Sequence, residues 1–514
     1  MHRRTLAGLV ACLTIVGTTA TQMNFGNSHM RIHQHRTAQM QGEQERDVPA
    51  CIGQAQEREG QTGKGSVDVR KLSTHLPLVQ IETQEEIPGG PYKGEGLTDG
   101  RYTLAADGNE FITANMKIYD GEGDHTLYDS PEVKTQIRIR IRGNTSRKFD
   151  KKSWSVKTIH SNGENKNISI MGMEADHDWA LHGPFLDKTL IRNYMGMNIS
   201  GELMDYAPDV RFCEVVLNGS YEGVYVMMET VSRGQGRIEI EKPNRMRNVS
   251  GYIVELDNML LIPDTGMDNF SKYTQKLRKN AFMNICYPGG EALTPEIKEY
   301  IEKDVSRFEK ALYSFDYDTS AYGYWNYIDV DEFVDYFILM EVFLQYDTGN
   351  LSTYFYKDIN GKYRPCVWDF NNDLENRNII AEDDFYIRKF VTVQAPWFWM
   401  LVKDEKFTES VISRYRTLRE GILSDKYLTG YIDETSAFLG EAVERNFSVW
   451  GYSFDPSLLD EETRLYPDER NPRSYGEALE QMKGELLRRL AWLDENIEIL
   501  RQYSHESAVK KFNH

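Results

Sequence analysis

One stretch, from Asp329 to Asp373, constrains the fold more than any other, because in it a helical period gives way to a strand period and carboxylates fall where the pattern changes. Phe333, Phe337, Ile338, Met340 and Phe343 keep the spacing of a buried helix face that runs from Phe333 to Leu344. Asp329 is placed to cap that helix, and Glu332, three residues on, would complete a capping box. Gly349 is the residue expected to close it in the left-handed conformation. Thr353 to Tyr356 then reads as a strand, Asp358-Ile359-Asn360-Gly361 as a hairpin turn, and Tyr363 to Trp368 as a returning strand that ends at Asp369. One helix end and two strand ends can therefore bring Asp347, Asn350, Asp369 and Asn371 together.

Oxygen ligands of this kind suit Mg²⁺ held partly by substrate phosphates, since Mg²⁺ keeps several waters and usually takes only one or two carboxylates. They also match the template for phosphoryl transfer, in which one Asp orients a hydroxyl nucleophile while a second, before a Phe, holds the metal with a nearby Asn. Trp368-Asp369-Phe370 has the second pattern. Taken alone the stretch is read more simply as Asp and Asn serving turns, so the rest of the chain must decide.

The chain has 514 residues, enough for a substantial core, and a formal charge of −19 with no long basic run. That balance excludes a nucleic-acid partner, whose binding rests on Lys and Arg neutralising phosphates, and favours a basic one. Met1 to Ala20 has the charged start and apolar centre of an export signal; Leu9-Val10-Ala11-Cys12 also fits a bacterial lipobox, so the expected location is secreted or at the cell surface, with lipid or signal anchorage as the one route to a membrane. Residues 21–75, rich in Gln, Glu, Gly, Arg and His, read as a polar tether, with His29, His33 and His35 solvated in it. Cys12, Cys51, Cys213, Cys286 and Cys366 lack the close spacing of zinc or redox sites.

The folded domain is expected over residues 76–514, α+β in class, with a strand-rich N-terminal half and a helical C-terminal half. Strands are predicted at Phe111 to Ile118, Thr135 to Ile141 and Ser153 to Thr158. Between the last two lies Arg142-Gly143-Asn144-Thr145-Ser146, followed by Lys151-Lys152, a loop able to cradle phosphates with N–H groups and cations, or equally a basic hairpin tip. Asp187 to Asn193 is expected to enter a helix that runs through Leu203, and Asn218-Gly219 predicts a tight hairpin whose second strand ends at Glu229. Glu255 and Asp257 share one face of a strand, more simply a solvated face than a site. Thr294-Pro295 opens a helix by capping, and Trp399 to Leu423 and Tyr475 to Tyr503 are long amphipathic segments.

The order of these segments resembles the CotH family of spore-coat H-like proteins, atypical secreted protein kinases. The resemblance is carried by RGNTS at Arg142 to Ser146, LIRN at Leu190 to Asn193, NGSYEGVY at Asn218 to Tyr225, GYIVELD at Gly251 to Asp257 and WDF at Trp368 to Phe370, and it covers roughly Leu76 to Tyr503. It implies a kinase-like fold, ATP with Mg²⁺ or Mn²⁺ as cofactors, Asp347 as the catalytic aspartate and Asp369 as a metal ligand with Asn350 and Asn371. Arg142, Gly143, Asn144, Ser146, Lys152 and Glu229 would form the nucleotide site. Two positions depart from the pattern. Asn371 stands where family members often carry Asp, making Asp373 a substitute ligand, and Ser352 stands where ordinary kinases place Asn, making Asn350 its replacement.

The leading expectation is transfer of the ATP γ-phosphoryl group to Ser or Thr of a protein, with a basic, Ser-rich protein as the candidate substrate. A non-catalytic surface or spore-coat module on the same fold competes with it, and Mg²⁺-dependent nucleotide binding separates the two. A two-metal hydrolase is disfavoured because the chain lacks the extra His ligands and closely spaced acids such sites carry.

Overall fold

Alternating apolar residues in the N-terminal half close a seven-stranded barrel. The computed structural model describes residues 31–40, 63–94, 96–257, 265–274, 282–377 and 388–505. The described residues from His33 onward belong to one compact unit. The expected export signal and lipobox at Cys12, and Cys51 and His29, lie outside the described residues.

The strands are β1 (Leu78–Thr83), β2 (Ile112–Tyr119), β3 (Val133–Ile141), β4 (Trp154–Ile159), the small pair β5 (Ile168–Ile170) and β6 (Met173–Asp176), β7 (Asp178–His182), β8 (Val210–Leu217) and β9 (Ser220–Glu229). The barrel order is β1-β2-β3-β4-β7-β9-β8, closed by a parallel β1–β8 pairing that sets Leu78 opposite Glu214. Period-two alternation sends Ile137, Ile139, Ile141, Trp154, Val156 and Met227 into the barrel. The other face of the same strands, through Phe212, Val226 and Met228, joins the core shared with the helices. At the β8–β9 turn Asn218 (φ 50°) and Gly219 (φ 77°) take the positive angles expected of it.

A second sheet has the order β11-β10-β12-β13, from β10 (Tyr252–Asp257), β11 (Phe282–Tyr287), β12 (Thr353–Lys357) and β13 (Arg364–Cys366). The helices are α1 (Arg192–Gly201), α2 (Pro295–Leu312), α3 (Val330–Val342), α4 (Glu405–Arg419), α5 (Asp425–Leu439), α6 (Glu441–Trp450) and α7 (Tyr475–Asn496); α3 packs on β13 of this sheet, whereas α1 packs on β8 and α6 on β9 of the barrel. The class is α+β with its strands early and its helices late, as the sequence indicates. Thr294 caps α2 as expected, accepting the Ile297 N–H.

Several local expectations are corrected. The Asp329–Glu332 capping box does not form, because each acid has a stronger claim elsewhere: Asp329 pairs with Arg364 at 3.1 Å, and Glu332 accepts the Asp205 N–H at 3.0 Å. α3 ends at Val342 and Leu344 (φ 51°) follows it in a left-handed position; Gly349 takes the left-handed angle expected of it (φ 68°), but in the loop beyond the helix end. Asp347 thus lies in the following loop, away from the last helical turn. The segment from Trp399 is not one helix, since Asp404 caps a new start and accepts the Lys406 N–H. The helix that the segment from Asp187 to Asn193 enters starts at Arg192 and ends at Gly201, with Asp187 ahead of it accepting the Arg192 N–H at 3.0 Å. Parts of the expected tether pack on the body: Leu72 and Thr74 are buried, and His33 and His35 are buried instead of solvated because tyrosines and acids surround them.

Candidate active site

The loop after α3 carries Asp347, and the loop after β13 carries Asp369. A single side chain staples them: Gln345 Nε2 donates to the Asp369 carbonyl at 2.5 Å, while its Oε1 accepts the Asp347 N–H at 3.4 Å. Asp369 itself has φ 59°, a left-handed backbone that a non-glycine residue adopts only when its surroundings enforce it. The enforcement is visible at the next residue. The Phe370 N–H donates to Asn193 Oδ1 at 2.9 Å, and the Phe370 ring lies against Gly196, where an added Cβ would stand 2.3 Å from the ring. Glycine at 196 is thus required by the close approach of α1 to this loop.

Neutral amides hold both carboxylates. Asn371 Nδ2 donates to Asp369 Oδ1, and Asn372 Nδ2 donates to Asp347 Oδ2 at 3.3 Å. Burial and the neighbouring Asp347 charge push the Asp369 carboxyl up to about 6, while Arg142 and the Asn371 amide pull the other way. Arg142 reaches this point across the cleft, its guanidinium 5.1 Å from the centre of the Trp368 ring.

Behind the loop lies a buried ion network. The Arg192 guanidinium meets Asp187 at 2.9 Å, Asp373 at 2.9 Å and Glu485 at 3.5 Å, all four side chains nearly inaccessible to solvent. Burial raises Asp373 well above the usual carboxylate range, and Arg192 opposes that rise. Asp373 is therefore spent on anchoring the loop and is not the substitute ligand expected for position 371.

The residues assigned from sequence divide into three groups. Asp347, Asp369, Arg142 and Asn371 are brought to one place. Gly143, Asn144 and Ser146 lie on the loop that begins at Arg142, with Gly143 and Asn144 exposed. That loop is braced from beneath by Arg147, which donates to the carbonyls of Gly143, Gly89 and Ile141. Lys152 braces it too, donating from Nζ to the Arg147 carbonyl at 2.8 Å, so its charge is engaged with protein oxygen. Glu229 stands apart, accepting from Tyr206 Oη at 3.2 Å and the Asp209 N–H at 3.0 Å with Arg237 nearby. The structure gives it a role at the end of the barrel.

Mg²⁺ fits this donor set in part. The Asp347 charge raises the proton affinity of Asp369, a repulsion that a divalent cation would relieve, and Asn350 Oδ1 is buried without a hydrogen-bond partner. Asn371 is less suited than expected, since its Oδ1 accepts from Asn193 Nδ2. Among the described residues no group of three His, Cys, Asp or Glu is arranged to hold a metal. Gln345, Asn372 and Asn193 were not singled out as site residues; the one signal in the sequence was the Asn that closes LIRN, whose task is to orient the WDF loop.

A strand-rich N-terminal half and a helical C-terminal half, with two amide-held acids near a basic loop, define an α+β protein. The sequence pattern of the family described as CotH kinase protein matches residues 139–493, and the chain belongs to that family. It is also similar to the inner spore coat protein H of Bacillus subtilis (strain 168), with 25% identity over 130 residues, 25% of this chain and 33% of that protein. The alignment therefore spans about a third of the relative's length.

Proposed function

We propose that this protein is an exported kinase that moves the γ-phosphoryl group of ATP to a Ser or Thr hydroxyl of a protein. The observation that carries the reading is the convergence of Asp347 and Asp369, from two separate loops, beside Arg142. In this reading Asp347 orients the acceptor hydroxyl and takes its proton as the hydroxyl oxygen bonds to the γ-phosphorus. The bond from that phosphorus to its bridging oxygen breaks and ADP leaves. Arg142 and the N–H groups of Gly143 to Ser146 meet phosphate oxygens. Asp369 and Asn350 would hold Mg²⁺ or Mn²⁺, which when bound neutralises charge on the phosphates. The formal charge of −19 favours a basic, Ser-rich substrate. The export-signal pattern of residues 1–20 and the similarity to an inner spore coat protein of Bacillus subtilis support a cell-surface or spore-surface location. No described helix is long and apolar enough to cross a membrane.

One observation favours a non-catalytic variant of the same site. The Asn371 oxygen is neutral and already accepts from Asn193, so it offers a metal less than a carboxylate at that position would. Incubation of the full chain with labelled ATP, Mg²⁺ and a generic basic protein separates the two readings. The kinase reading expects metal-dependent label on Ser or Thr that EDTA abolishes; nucleotide bound without any transfer supports the binding module.

A further inference from the structure

Segment His33 to Thr37 is seated on the body through contacts more specific than a tether requires. It starts the short helix Gln34–Met40. Gln34 uses both ends of its amide on one residue of β8, donating to the Phe212 carbonyl at 3.2 Å and accepting the Phe212 N–H at 2.8 Å. Phe212 lies beyond the point where β1 starts to pair with β8 at Glu214, so this amide completes hydrogen bonds that β1 does not supply. His33 bridges Tyr431 Oη at 3.0 Å and Glu202 Oε1 at 2.7 Å. His35, fully buried, gives its N–H to Tyr194 Oη at 3.4 Å and has its Nδ1 2.9 Å from the same oxygen. Arg36 donates to Tyr427 Oη at 2.7 Å and Glu434 at 3.1 Å and lies over the rings of Tyr427 and Tyr431.

Each residue from His33 to Arg36 thus meets a matching group on α1, β8 or α5. Tyrosine faces take imidazole and guanidinium, two glutamates take the polar ends, and a strand edge takes the carboxamide. We propose that this groove is a peptide-docking site for a His-Gln-His-Arg segment, and that its occupant is the chain's own N-terminal arm, bound in cis. Burial and the Arg36 charge hold the His35 ring down at about 3, so the docked arm carries that imidazole neutral. Glu434 lies 3.6 Å from His35 Nε2 and is shared with Arg36. The groove does not depend on the phosphoryl-transfer reading, and neither does its test.

The test uses the full chain and a fluorescent peptide of residues 31–40. In the wild type, hydrogen exchange at Arg36 and Thr37 is expected to be at least tenfold slower than in the free peptide, at every protein concentration, with the mass of one chain. The arm variant His35→Ala combined with Arg36→Ala touches no residue of the body and vacates the groove. It should bind the peptide at least tenfold more tightly than the wild type, whose groove is filled. Arm exchange as fast as in the free peptide, or equal peptide affinity for the two chains, overturns the proposal. Protection that appears only as a dimer forms overturns the assignment in cis and makes the occupant a second copy's arm.

Discussion

The two loops that face each other across the candidate site are built on opposite principles. The basic loop from Arg142 to Ser146 is largely exposed and is braced through its own backbone by Arg147 and Lys152. The acidic loop from Asp369 to Asp373 is held from behind by Asn193, Gln345 and the Arg192 network. Cations that meet phosphate can stay hydrated until the ligand arrives, so a solvated loop suffices. Two carboxylates near one another repel, and keeping them there requires donors fixed in advance. The expensive part of the site is therefore the acidic side, and substitutions should show it.

Arg192→Met is expected to have the largest effect on the fold. It leaves Asp187, Asp373 and Glu485 buried without their cation, and loss of one partner of such a network destabilises by about 3–5 kcal/mol. Chemical denaturation measures it; a loss below about 1 kcal/mol would mean that the network does not support the acidic loop. Asn193→Ala comes next. It strands the Phe370 N–H and frees Asn371, with an expected stability loss of about 1–3 kcal/mol accompanied by weaker Mg·ATP binding in calorimetry. Stability lost with nucleotide affinity intact would separate Asn193 from the site. On the basic side, Arg142→Ala should weaken nucleotide binding roughly tenfold while thermal melting hardly moves, since a charge-assisted phosphate contact is worth about 1.5–3 kcal/mol at most. Lys152→Ala should have the smallest effect, under about 1 kcal/mol on stability and little on affinity, because its Nζ is taken by the Arg147 carbonyl. If Lys152→Ala proved the more damaging of the two for nucleotide binding, the division of labour between these cations would be reversed.

Local patterns in the sequence showed the elements, and much less of what joins them. The Asn218-Gly219 turn, the Thr294 cap and the class were readable because each follows from a few adjacent residues. Barrel closure by β1 and β8 was not, since a parallel pairing between residues so far apart leaves no periodic trace. Asp347 and Asp369 were legible as acids at element ends. Gln345 and Asn372 were not, because an amide two residues before one acid or three after another looks like any polar loop residue until the loops are folded together. Asp373 misled for a related reason: its neighbours in sequence are site residues, while its partners Arg192 and Glu485 come from α1 and α7. His33 and His35 sat in a polar composition that hid the tyrosines they reach.

The central claim, that Asp347 and Asp369 divide proton handling from metal holding, is tested most directly by one paired measurement. Labelled phosphate transfer and Mg·ATP affinity are determined on the same preparations of wild type, Asp347→Asn and Asp369→Ala. The account predicts that Asp347→Asn loses transfer by about 10²–10⁴-fold while it still binds Mg·ATP, and that Asp369→Ala loses metal-dependent binding itself with its melting transition preserved. Wild-type turnover by Asp347→Asn, or unchanged Mg·ATP affinity in Asp369→Ala, would contradict it.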